Sequence, residues 1–167
     1  FVFDSGAYGA FKPIGFLFGP MESGGPYKIP HVLLEEKIVY TNKIPCGHMR
    51  APGEPQANFA AEGQMDLVAR RLNMDPVEFR RINLIHDGGE SPTGEIMPYI
   101  KAEETLDRVL KESGFYKPKK KNVGRGVALV QWLPLGGEST VFVRIDEQGL
   151  ITLSSVVLDQ GVGVYTL

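Results

Sequence analysis

Arg50 is the second residue of a loop, Met49–Gln56, that runs directly into a proline-started helix. Unpaired backbone N–H groups and the helix dipole favour an anion at such a point, and a guanidinium adds a bidentate cation suited to phosphate or another oxyanion. From the residues alone, Arg50, Ala51, Pro52 and Gly53 read either as an anion loop or as the ordinary entry to a helix. A second candidate is Leu158–Thr166, in which Gly161 and Gly163 flank Val162. Glycines two apart let the backbone approach a ligand closely and can turn successive N–H groups into an anion-binding nest. Thr166 stands where a dinucleotide fingerprint would need its third glycine, so the segment reads equally as a strand-ending turn. Cys46 and His48 are metal-capable neighbours, but two ligands are too few for a closed zinc site, and the reading is a small buried thiol beside a loop imidazole. Phosphate-loop, zinc-helix and nucleophile-elbow motifs are absent.

These loops need elements to hold them. Glycines interrupt every apolar run of Phe1–Gly25, which predicts short extended pieces and loops over that stretch. Lys28–Lys43 is rich in residues that suit a pleated surface and predicts two strands or one bent strand. From Pro55 a helix presents Ala61, Met65, Val68 and Leu72 on one face, with Glu62, Asp66 and Arg70 spaced by four as solvated or capping charges and Asp66 within reach of Arg70. A second helix starts at Asp75-Pro76-Val77-Glu78, an N-cap, a proline where its missing N–H costs nothing, and a capping-box glutamate. Its Phe79, Ile82 and Ile85 are expected inside, and Arg80 and Arg81 outside. A third helix covers about Ala102–Ser113 with Leu106, Val109 and Leu110 as its stripe and Gly114 as its stop. Past a lysine-rich connector, Lys117–Asn122, the pattern turns to strands: Val127–Trp132, Thr140–Ile145, and, after a turn at Asp146–Gly149, Leu150–Leu158.

Composition narrows the class. A net charge of −2 disfavours a general nucleic-acid binder, which needs a basic surface to displace counterions. Twenty glycines and twelve prolines, about a fifth of the chain against roughly 12% in average usage, call for many shaped turns. No apolar run approaches the roughly 18 residues of a membrane span. A single cysteine and no signal segment fit a reducing, cytoplasmic setting. The chain opens at Phe1 without methionine and stops after a glycine-rich segment, and it reads as a piece of a longer polypeptide. The expected architecture is α+β, short strands and a hairpin with two to three helices, in one stretch 1–167: loops and strands over 1–54, two helices over 55–86, a helix over 102–114, and hairpin plus glycine loop over 124–167.

The stretch Arg50–Asp66 (RAPGEPQANFAAEGQMD), continuing through Leu72–Asn83 (LNMDPVEFRRIN), resembles the molybdopterin-binding large subunit of the xanthine dehydrogenase and aldehyde oxidase family. Asp4–Tyr8, Pro26–Pro30, Gly124–Gly126 and Val143–Val164 resemble that family's flanking segments in the same order. The resemblance implies a fragment of a molybdenum-cofactor-binding domain. In it, Arg50, Ala51, Pro52 and Gly53 approach the molybdenum and pterin, and Gly161, Val162, Gly163 and Thr166 contact the cofactor, with no direct metal ligand among them. Val162 stands where many members carry a glutamine, and Pro52 where purine-oxidising members carry an aromatic residue.

The implied parent is a molybdenum hydroxylase. It inserts water-derived oxygen at an electron-poor carbon of an N-heterocycle or aldehyde, using a molybdenum–molybdopterin cofactor, including its cytosine dinucleotide form. The resemblance places the glutamate base beyond Leu167, so no catalytic residue falls within the chain, and the isolated piece is expected to be inactive. It also implies electron transfer to 2Fe-2S clusters and FAD on partner subunits or domains, contact with the remainder of the large subunit, a small-molecule substrate, and neither nucleic acid nor membrane. The alternatives from other classes are a non-catalytic structural or binding segment and a phosphate-binding module unrelated to molybdenum.

Overall fold

A computed structural model of the chain describes residues 1–8, 19–47, 51–131, 138–157, 159, 161 and 163–166. The chain divides into two compact units, Phe1–Trp132 and Leu133–Leu167.

In the first unit, β1 (Val2–Asp4) pairs in parallel with β2 (Lys37–Val39), Phe3 opposite Ile38. Asp4 closes this pair from the side: its carboxylate accepts from the Thr41 hydroxyl, the Gly6 N–H and the Lys43 ammonium. Those donors, Lys43 first, hold the Asp4 carboxyl down at about 2. Only Lys37–Val39 of the expected Lys28–Lys43 strands forms a ladder. Residues 31–34 are mostly exposed and lack strand pairing, and Tyr27 makes an isolated antiparallel bridge to Leu84. Residues 19–22, expected as loop, are helical.

α1 (Glu54–Arg71) starts from Gly53, whose left-handed φ of 82° no side chain could adopt cheaply, and carries a proline in its first turn. It stops where Asn73 turns left-handed and the Met74 N–H reaches back to the Ala69 carbonyl. α2 (Pro76–Ile82) is capped as its residues predict: the Asp75 carboxylate accepts from the Val77 and Glu78 N–H groups at 2.9 and 3.1 Å. A short antiparallel pair, β3 (Gly89–Glu90) with β4 (Ile96–Met97), bridges the loop that follows. α3 (Ala102–Ser113) ends at Gly114, φ 61°. The Arg125 guanidinium then gathers the carbonyls of Gly114, Phe115 and Lys117, pinning the chain after the helix. The core of the unit is Tyr27, Val77, Leu84, Leu106 and Leu110, with Met65, Val127 and Leu129 among the half-buried residues packed on it.

Several expected faces are corrected. On α1 the buried positions are Glu54, Ala57, Glu62 and Ala69, so Val68 and Leu72 lie exposed while Met65 alone of the expected stripe packs on the core. Ile82 and Val109 are also exposed, and Ile85 is buried. Arg80 is 1% exposed rather than outside, because two carboxylates on α1 meet it. Arg81 is half-buried and bridges to α3 through Glu103 and Asp107. The expected strand at Val127–Trp132 forms no ladder over its described residues, since no neighbouring strand is placed to pair with it.

The second unit holds a hairpin, β5 (Val141–Ile145) and β6 (Ile151–Ser155), with Val143 opposite Leu153. Asp146 and Gly149 close it. The Asp146 carboxylate accepts from the Gln148 and Leu150 N–H groups, and Gly149 takes the positive φ of 80° that the turn requires. Every residue of both strands is exposed. A single 3-10 turn, Val164–Thr166, follows. No helix among the described residues is long and apolar enough to cross a membrane.

Candidate functional site

The first candidate loop enters α1 through two left-handed residues, Ala51 (φ 47°) and Gly53 (φ 82°). Ala51 pays a steric cost for this conformation, and such a cost persists only where the surroundings fix it. Those surroundings include Gly19: a Cβ there would lie 2.3 Å from the Gly53 carbonyl oxygen, so the two backbones touch only because residue 19 has no side chain. The cap of α1 makes no side-chain hydrogen bond. In that first turn the Glu54 N–H donates to the Ala51 carbonyl, and Pro55 has no N–H to offer. Pro52 is half-buried and Gly53 buried. Arg50, with His48 and Met49, lies outside the described residues.

Two buried carboxylates stand behind this loop, and neither was singled out from the residues. Glu54 is 4% exposed and Glu22 is 7% exposed. Burial pushes the Glu54 carboxyl up to about 7, the negative Glu22 adds to the rise, and a 3.1 Å hydrogen bond from Asn58 opposes it. Burial raises Glu22 too, with Glu95 contributing. A carboxyl raised in this way keeps its proton to higher pH than an ordinary glutamate, which lessens the negative charge it sets against an approaching anion.

The second candidate loop lies in the second unit. The N–H groups of Gly161 and Gly163 both point at Asp159 Oδ1, at 2.7 and 3.3 Å. Two amides converge on one carboxylate oxygen, which closes the loop as a local turn. Thr166 donates its hydroxyl to the Gly163 carbonyl at 2.6 Å, and the Tyr165 hydroxyl donates to Val157 O, so both side chains brace the turn. Val162 lies outside the described residues.

Cys46 is exposed, not buried, and its thiol donates to the Asp4 carbonyl. Among the described residues no group of three or more His, Cys, Asp or Glu could hold a metal ion.

A buried polar hub lies along α1. Glu62 Oε1 accepts from the Tyr27 hydroxyl at 2.7 Å, and Oε2 accepts from Arg80 Nε and the Leu129 N–H, each at 2.9 Å. Arg80 also donates to Asp66 at 2.8 Å and to the Pro76 carbonyl. Burial works against the Arg80 charge, but Asp66 and Glu62 outweigh it and hold the guanidinium above its ordinary value. The Tyr27 phenol is pushed far up, first by burial and then by Glu62. The reading of Glu62 as a solvated helix charge is thereby corrected, while Asp66 does approach Arg70, at 3.9 Å.

Residues 1–84 match the molybdopterin cofactor-binding domain. The chain is 36% identical over 106 residues to the nicotinate dehydrogenase large molybdopterin subunit of Eubacterium barkeri, covering 63% of this chain and 25% of that protein. It is 30% identical over 172 residues to the aldehyde oxidoreductase of Megalodesulfovibrio gigas, covering 96% and 19%. The crystal structure of the Desulfovibrio desulfuricans aldehyde oxidoreductase superposes with a TM-score of 0.73 at 26% identity, over 91% of this chain and 18% of that one. The chain thus spans about a fifth to a quarter of the length of the relatives it matches.

Proposed function

Since the chain belongs to the molybdopterin cofactor-binding family of molybdenum hydroxylase large subunits, we propose that it supplies two main-chain cradles for that cofactor in a larger hydroxylase. The observation that carries the reading is that the family match includes the loop at 51–53, where left-handed Ala51 and Gly53 open an uncapped helix start. Arg50 adds the cation, Pro52 and Gly53 shape the approach, and Gly161, Val162, Gly163 and Thr166 form the second cradle.

When bound, the molybdenum–molybdopterin group, in the proposal including its cytosine dinucleotide form, supplies oxygen transfer to an electron-poor carbon and takes up two electrons. The residues of this chain bind and orient it. Main-chain N–H groups at 161 and 163, which now donate to Asp159, would donate to an anionic oxygen of the group, and Glu54 can hold a proton beside the first loop, lowering the repulsion an anion meets there. The substrate class proposed is an N-heterocycle or aldehyde. The proton-accepting glutamate comes from the part of the subunit beyond Leu167, and electrons leave to 2Fe-2S and FAD partners in the cytoplasm. Isolated, residues 1–167 are inactive in this proposal, because the other cofactor contacts belong to the remainder of the large subunit.

The test is to produce the full-length subunit with its partners in a host that makes the cofactor. Molybdenum per large subunit and oxidation of N-heterocycles and aldehydes with an artificial electron acceptor are then measured. Near-stoichiometric metal with turnover of either class is expected; a folded complex without molybdenum overturns the proposal.

A further inference from the structure

Glu62 lies at the middle of α1, two to three turns beyond Gly53, and its carboxylate joins three parts of the first unit. The bond from the Leu129 N–H differs in kind from the others. Tyr27 belongs to the core cluster and α2 is capped by Asp75, so both are fixed by other means. Residues 123–131 form no ladder, and a buried backbone N–H without a strand partner must find another acceptor. Glu62 Oε2 is that acceptor for Leu129. Side-chain alternation agrees with it: Val127 and Leu129 pack on the core while Val130 is exposed. A slip of one residue would turn the core pair outward and offer the carboxylate a different amide.

We propose that Glu62 is a positioning residue, whose carboxylate indexes the extended segment 127–131 to the helix that carries the 51–53 loop. The proposal rests on the cofactor reading of the 51–53 loop, which the carboxylate governs through the rigid helix.

Leu129→Pro and Leu129→Ala, made in the full-length subunit with its partners, separate this role from packing. Both variants shed the leucine side chain, and only proline removes the N–H. Leu129→Pro should lower molybdenum per folded subunit by about tenfold or more relative to Leu129→Ala. It should also speed amide exchange in the 127–131 peptide while leaving α1 protected. Equal molybdenum content and equal exchange in the two variants overturn the proposal. A wild-type subunit that folds without molybdenum overturns the cofactor reading instead. If Leu129→Pro does not fold, Glu62→Ala serves: it removes both acceptor oxygens. Faster exchange confined to 127–131 and the residues bonded to Glu62 supports the role, and unchanged exchange at 127–131 overturns it.

Discussion

Glu54 carries a pH dependence whose sign follows from its environment. Its carboxyl lies at about 7 in the folded chain against an ordinary 4.5, so between those values the folded state keeps a proton that the unfolded state has lost. Stability therefore declines as pH rises through that window and levels off above it. Glu54→Gln should flatten this decline and stabilise the protein at pH 8 by about 1–3 kcal/mol, with little change at pH 4.5. Urea midpoints at pH 4.5, 6 and 8 check it, and parallel pH profiles for the two proteins would contradict it. Arg50→Ala in the full-length subunit should lower molybdenum content by one to two decades, the cost of about 1.5–3 kcal/mol for a charge-assisted hydrogen bond. Arg70→Ala, on an exposed helix position, is the control. Loss in proportion to unfolded protein for both would remove Arg50 from the site. At this scale the hairpin turn was legible: Gly149 takes the positive φ that its place in the turn after Asp146 calls for. The Arg80 burial was not, because its partners Glu62 and Asp66 sit 18 and 14 residues away on another helix. Their spacing of four, opposite an arginine in the next helix, was the available signal.

Elements that carry their own boundary chemistry were read closely from sequence. Asp75 and Pro76 start α2, and Gly114 ends α3, where local hydrogen bonds and φ decide the outcome. Asp75→Ala should cost about 1 kcal/mol by leaving the Val77 and Glu78 N–H groups to water. On α3, Leu106→Ala should cost about 2–5 kcal/mol and Val109→Ala less than about 0.5. Thermal or urea unfolding of the two variants checks the assignment of the buried face, and equal losses would reject it. Helix faces were harder. Apolar spacing alone cannot distinguish a residue buried in this chain from one awaiting another surface, and α1 has both: Ala57 and Ala69 are fully buried while Phe59 is 85% exposed. The segment at 127–131 has strand composition, yet a ladder requires a partner strand, and composition says nothing of partners.

At the scale of the whole molecule, the exposed apolar residues of α1 and of β5 and β6 exceed what a self-contained domain displays. Residues 1–167 made alone should bind a hydrophobic dye strongly and carry no stoichiometric molybdenum. Elemental analysis after production in a cofactor-competent host, finding about one metal per chain, would contradict this. The order of magnitude of exposure also separates the two units: the first buries a core of its own, and the hairpin buries no strand residue. A hairpin of this length closes in microseconds, whereas the chain that would cover it in a full-length subunit is delivered by a ribosome at about 5–20 residues per second. For each further hundred residues of synthesis, an apolar ribbon with two outer edges waits roughly 5–20 s in a crowded cell. Over such an interval the two unpaired edges of β5 and β6 and the exposed Phe142 and Leu153 form the kind of ribbon on which a second nascent chain can add a strand.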